Sequence, residues 1–157
     1  MASFRRCLLL AGLAWPLAVW AGPVATGQLL PPLALKDQHD QAWSVGPDTR
    51  QVLLATDRAA ASLVQSVLGM QPAGFLASRQ AVYQPDMSRM PGFVTRSFAL
   101  PALRQQPFRL GVVLDGRILE GWPRPQAGLS LITLSQGRVE RLDTLNTETE
   151  LRSALGL

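Results

Sequence analysis

The sequence predicts a mixed α/β sandwich, and three observations carry that prediction. Between Gln51 and Arg104, apolar runs of strand length alternate with stretches whose apolar residues recur at helical spacing. After them come two strand-like runs, Leu129 to Leu134 and Val139 to Leu145, joined at Gln136-Gly137, a hairpin by length and turn type. The chain closes on Thr147-Glu-Thr-Glu150, a capping box that opens a helix from Glu148 to Leu155. Strands alternating with helices imply crossovers between parallel strands and a sheet covered on both faces. The final hairpin adds antiparallel strands to it.

In chain order, residues 1–21 read as an export signal. Arg5 and Arg6 form a positive n-region, Leu8 to Val19 an apolar h-region broken by Pro16, and Val19-Trp20-Ala21 a cleavage site before Gly22. The apolar run is shorter than the roughly 20 residues a membrane-spanning helix needs. Arg5-Arg6-Cys7-Leu8-Leu9 also resembles a twin-arginine signal, with ordinary secretion as the plainer alternative. Residues 22–32, with their prolines and glycines, form an extended lead-in, and 33–157 the folded domain. Leu33 to Asp37 and Ala42 to Val45 flank Gln38-His-Asp-Gln41 as a β-hairpin, with Asp40 or His39 in the left-handed turn position. Gly46-Pro47-Asp48 is a turn.

Gln51 to Thr56 is a strand, apolar enough to be buried on both faces. It leads into a helix whose stripe is Ala59, Ala60, Leu63, Val64, Val67 and Leu68, with Asp57 as N-cap and Gly69 as C′ residue. Pro72 opens a short turn through Phe75 and Leu76, Gln80 to Gln84 is the next strand, and Asp86 to Gly92 a loop. A helix from about Phe93 to Leu100 is kinked or restarted by Pro101 toward Arg104. Phe108 to Leu114 is a strand ending in the Asp115-Gly116 turn, and Gly121 to Gly128 is loop.

Composition narrows the function classes. Cys7 is the only cysteine and His39 the only histidine among 157 residues. Removal of the signal takes Cys7 with it, so the mature chain has neither disulfide nor thiol chemistry. It also takes two of the four excess positive charges. The remaining arginines are scattered without aromatic interleaving, and Lys36 is the only lysine, so nucleic-acid binding has no support. No Gly-x-Gly-x-x-Gly supports dinucleotide or flavin binding, no cofactor is expected, and His39 has no positioned nucleophile.

Leu30 to Asp37 with Trp43-Ser-Val45, Gln51 to Leu68, and Phe108 to Asp115 together resemble the thioredoxin-like superfamily, in its exported thiol-oxidoreductase and peroxiredoxin branch. The resemblance implies a three-layer α/β/α sandwich with a mixed sheet and an N-terminal β-hairpin extension. It also implies a Cys-x-x-Cys pair opening the first long helix, where helix-end electrostatics would activate a thiol. The matching window is Thr56-Asp57-Arg58-Ala59-Ala60-Ala61, which has no cysteine. The resemblance also implies a cis-proline before the penultimate hairpin, facing that site, and Pro123 and Pro125 are the nearest candidates.

The expected function is therefore a redox-inactive, periplasmic or secreted binding or accessory module. Its partner is another periplasmic protein or a small ligand, with no stable membrane insertion after cleavage. The expected groove joins Asp57 and Arg58, the loop carrying Met87, Met90 and Pro91, and the loop carrying Trp122, Pro123 and Pro125. Arg58 would present a fork to a carboxylate or phosphate, against the plainer reading in which Asp57 caps and Arg58 is solvated. Two alternatives stand beside it. One is an enzyme with non-thiol chemistry, acid–base or cofactor-dependent. The other is a Cu(I) carrier using Met87 and Met90, with Met70 as a possible third thioether. Arg89, Arg96 and Arg104 read as a solvated helix face.

Overall fold

The structure, a computed structural model, describes residues 22–157; the signal-peptide reading and Cys7 lie outside the described residues. The N-terminal hairpin pairs Leu35–Lys36 (β1) with Ala42–Trp43 (β2) as antiparallel strands. Asp40 takes the left-handed turn position at φ 63°, where an Asp side chain tolerates a conformation that other residues resist. Gln51–Ala55 (β3) follows and runs into Arg58–Leu68 (α1). Then come the short Phe75–Ser78 (α2), begun by the Pro72 turn, and Ala81–Pro85 (β4). Leu129–Ser135 (β5), Arg138–Leu145 (β6) and Glu148–Leu155 (α5) complete the chain. The main sheet has the order β4-β3-β5-β6; β3 and β4 are parallel, the other pairs antiparallel. The Gln136-Gly137 turn closes the β5–β6 hairpin with both residues at positive φ, 50° and 75°, as that tight connection demands.

Period-2 alternation sorts the sheet into two faces. Leu53 and Ala55 of β3, Ala81 and Tyr83 of β4, and Leu129 and Leu131 of β5 meet the buried sides of α1, α2 and α5. Val52, Leu54, Ile132 and Leu134 point the other way. They are covered by Val24 and Leu33 of the N-terminal segment, Leu35, Val113, Leu119 and Trp122. The fold is thus the expected thioredoxin-like α/β sandwich with its hairpin extension. The outer layer of the second face is built from the lead-in, the hairpin and a 3-10 turn, Gly116–Leu119. The lead-in is strapped along β6, with Gly27 N–H donating to Val139 O at 2.7 Å and Leu30 N–H to Gly137 O at 2.9 Å.

Four local expectations change. In α1 the buried residues are Ala60, Val64, Val67 and Leu68, while Ala59 is exposed, so the stripe is rotated slightly from the sequence reading. Gly69 ends α1 in right-handed geometry at φ −60°, and its value lies in the missing Cβ, which would fall 2.6 Å from the Gln65 carbonyl. The helix after β4 is continuous. It runs Gly92–Val94 (α3), a π turn over Thr95–Ala99, then Leu100–Arg104 (α4). The widening sits just before Pro101, which has no N–H to offer and whose ring would strike the Ser97 carbonyl in a regular α-helix. Leu100 N–H bonds instead to Thr95 O, five residues back.

The predicted strand at Phe108 to Leu114 is extended but forms no continuous ladder: it meets its neighbours at isolated bridges, Lys36 to Val112 and Asp86 to Val113, with Gly111 N–H also donating to Tyr83 O at 3.0 Å. A side chain takes over part of its ladder. Gln38, 2% exposed, donates from Nε2 to Phe108 O at 2.8 Å and accepts from Leu110 N–H through Oε1 at 3.1 Å. Gly111 then passes directly under the Trp43 ring, which occupies the space a Cβ would need. Beside Gln38, the buried Asp37 accepts from the His39 and Gln41 N–H groups at 2.8 and 2.9 Å and from Arg109 Nε at 2.8 Å. Burial opposes ionisation of Asp37 most strongly. Those three donors together outweigh it and hold its carboxyl below the usual range.

Candidate functional site

The C-terminal ends of the parallel strands β3 and β4 open onto a cavity of about 390 Å³. Crevices beyond the carboxyl ends of parallel strands are where open α/β sheets most often bind ligands. One wall is the β3–α1 junction, with Thr56, Asp57, Arg58, Ala61 and Gln65; the other is the end of β4 and its loop, with Asp86, Met87, Arg89 and Met90.

Each wall is fixed by backbone chemistry. Asp57 is the N-cap of α1, extended at φ −143°, and its Oδ1 accepts from Ala60 N–H at 2.7 Å. That leaves Arg58, the first helical residue, exposed at the mouth. On the far wall Asp86 N–H donates to Ala55 O at 2.8 Å and Met87 N–H to Val113 O at 2.8 Å, so the β4 loop is held between β3 and the 108–114 segment. The Asp86 carboxylate is fully buried; it accepts from Ser88 N–H at 2.9 Å and lies 3.4 Å from Arg124, which also donates to Gly116 O at 2.8 Å.

The consequence is electrostatic. Both carboxylates on the cavity wall are already committed, Asp57 to the helix end and Asp86 to Ser88 and Arg124. Arg58 and Arg89 pair with no carboxylate among the described residues. The cavity therefore offers two planar cationic forks, apolar thioether and alanine surface, and the N-terminal end of an 11-residue helix. That set suits an anionic group attached to an apolar body.

Of the eight residues expected to form the groove, Asp57, Arg58, Met87 and Met90 do line this cavity. Pro91 is exposed just beyond Met90, as the residue before α3. Trp122 does not face it: only 6% exposed, it plugs the second-face core with Val24, Leu33 and Leu119. Pro123 is occupied with the other side of β5, its carbonyl accepting from Ser130 Oγ at 2.9 Å, and Pro125 lies outside the lining as well. No peptide bond among the described residues is cis, so neither proline fills that role; the residue directly before β5 is Gly128, at φ 96°. Its Cβ would overlap the Asn146 side chain and the Leu145 carbonyl, which explains glycine there. Met70 is 82% exposed past the far end of α1, away from Met87 and Met90. Arg104 is not simply solvated: its Nε donates to Gln38 O at 2.9 Å.

Sequence reasoning missed Arg124, Arg89 as a cavity residue, and Gln84. Arg124 sits 38 positions from Asp86, and no local pattern announces such a pair. Gln84 is fully buried in β4 and neither its Nε2 nor its Oε1 has a partner among the described residues. A polar residue at an inward strand position was its only signal. Among the described residues no three His, Cys, Asp or Glu side chains gather as a metal site would require, and no helix is long and apolar enough to cross a membrane.

No protein-family model matches the chain, and no curated protein matches it in sequence. Solved structures match it in fold. The chain is similar to a peroxidoxin of Mycobacterium tuberculosis at 12% identity, covering 85% of this chain and 95% of that one, with a TM-score of 0.56. It is similar to a thio-disulfide isomerase of Thermus thermophilus at 14% identity, over 84% of this chain and 95% of the other, with a TM-score of 0.53. An exposed lipoprotein thioredoxin of Streptococcus pneumoniae matches at 10% identity, over 80% and 98%, with a TM-score of 0.53. At such identities the likeness speaks for fold alone. With the sheet order, the hairpin extension and the cysteine-free helix start already described, it shows that this chain has the thioredoxin-like fold without the catalytic cysteine pair.

Proposed function

We propose that the protein is an exported, redox-inactive thioredoxin-like module that binds an anionic ligand or protein segment at the β3–α1 junction. The observation that carries this reading is the cavity itself. It persists at the position where the fold's thiol enzymes do chemistry, but Ala59, Ala60 and Ala61 follow Arg58 there, and no cysteine occurs after Cys7. Two arginines with no carboxylate partner and two methionines replace nucleophilic sulfur with recognition chemistry. The exported setting rests on residues 1–21. Insulin-reduction and peroxidase assays on residues 22–157 should give no turnover, and robust turnover in either would overturn the reading. Photo-crosslinking from position 62, whose serine lines the same cavity, should trap in the native host a partner or ligand that Arg58→Ala loses.

Cu(I) carriage is the second reading, favoured by one observation: Met87 and Met90 line the same cavity. Two thioethers without an imidazole make a weak site even for a soft ion. Competition against a Cu(I) chelator should show binding that falls sharply when both become leucine. Unchanged affinity would dismiss the carrier.

A further inference from the structure

The helix from Gly92 to Arg104 buries one side chain, Thr95. Phe93 and Phe98 are 66% and 63% exposed, and Val94 and Met90 are also exposed apolar side chains. Four of the exposed large apolar residues thus fall within nine positions of the chain. The π turn is what gathers them. In an α-helix, residues five apart point about 140° away from each other. A turn closed by an i→i+5 bond stacks them on nearly one face. Phe93 and Phe98 accordingly meet edge to face, ring centroids 6.0 Å apart, on the outside of the molecule.

The charge carried by this stretch of chain has one sign. From Met87 to Leu114 there is no Asp or Glu, but there are Arg89, Arg96, Arg104 and Arg109. Arg109 pairs with Asp37, and Arg104 lies 3.7 Å from Asp40. Arg89 lies four residues before Phe93 and Arg96 between the two phenylalanines in the chain, and neither has a carboxylate partner among the described residues.

We propose that this ridge is an interfacial docking face for an anionic phospholipid bilayer. Exposed apolar rings and unpaired arginines on one stretch of chain match a surface whose phosphates lie above an acyl boundary. A second copy of the chain fits worse: a two-fold contact through this stretch would bring the Arg89 and Arg96 of both copies into one interface, with no acid in the stretch to answer them. A helix-binding protein would have to supply both a groove for the rings and acids around it. A lipid surface supplies both at once. The face is separate from the cavity except at Arg89 and Met90, so its failure would leave the cavity reading standing.

Co-flotation of residues 22–157, which hold both core clusters whole, tests this. Vesicles would be equal parts phosphatidylglycerol and phosphatidylcholine, against phosphatidylcholine alone. The protein should float with the anionic vesicles and release as salt rises. Phe93→Ser with Phe98→Ser should lower partitioning at least about tenfold, and Arg89→Gln or Arg96→Gln about fivefold each at low salt. Met70→Ser, an exposed apolar change beyond the C-terminal end of α1, should alter nothing, and an unchanged unfolding midpoint shows that the ridge variants fold. No binding to anionic vesicles at low salt would overturn the proposal, as would binding insensitive to the Phe pair. Lipid-free self-association abolished by the same Phe changes would overturn it in favour of a second copy.

Discussion

Replacing Gln38 by methionine should destabilise the protein by far more than a surface hairpin residue would suggest. Gln38 follows Asp37 in the β1–β2 turn, yet it is 2% exposed and hydrogen-bonds both Phe108 O and Leu110 N–H, some 70 residues away. Methionine fills nearly the same volume, so little cavity cost enters. What is lost is the pairing of two buried backbone groups, each worth about 1–3 kcal/mol when orphaned, hence about 2–6 kcal/mol in all. For a domain of this size that is roughly a 10 °C fall in melting temperature. The loss should also loosen the cavity wall, because Phe108 to Val113 runs on to Met87, whose N–H donates to Val113 O at 2.8 Å. Urea unfolding followed by tryptophan fluorescence measures it, with an unchanged m-value licensing the comparison. Gln38→Glu is the second variant, keeping an acceptor for Leu110 but burying a charge and losing the donor to Phe108. A loss below about 0.5 kcal/mol for Gln38→Met would refute the reasoning, since orphaned buried groups cannot be that cheap.

Three further outcomes follow from the same geometry. Asp57→Ala removes the α1 cap and should cost about 1 kcal/mol in urea unfolding, with Asp57→Asn recovering most of it. Gly111→Ala forces a methyl into the Trp43 ring and should cost about 1–3 kcal/mol, with a shift in tryptophan emission reporting the displaced ring. Asp37 is held below its ordinary value in the folded protein, so its contribution is complete above the unfolded carboxylate pKa and is lost as pH falls through the folded one. The stability gap between wild type and Asp37→Asn should therefore be full at neutral pH and shrink below about pH 4; a gap that grew in acid would contradict the sign. Asp115, drawn down to about 2 by the Arg117 side chain, acts in the same direction, but it is exposed and screened by salt.

Much of the frame was legible in the sequence because its signals are local. Apolar periodicity placed β3, α1, β5 and β6, and Asp57 and Thr147 marked helix starts by the chemistry of a capping oxygen. Asp40, Gln136 and Gly137 marked turns by backbone conformation. With no cysteine after Cys7, the start of α1 carries no thiol. At the candidate site, Asp57, Arg58, Met87 and Met90 line one cavity because the parallel strands β3 and β4 end at the same edge.

Only tertiary structure decided the rest. Whether Trp122 lined a groove or filled a core depended on the lead-in and hairpin covering the sheet's second face. The Phe108 to Leu114 segment became a bridged edge because a distant glutamine satisfies part of its backbone. Asp86 was free to leave the cavity's charge positive because Arg124 reaches it across 38 positions. Pro101 foretold a disturbance, but the π turn that stacks Phe93 on Phe98 is one of several ways a helix can absorb it, and packing selects among them. Periodicity and caps are written residue by residue, whereas burial and pairing belong to contacts between segments far apart in the chain.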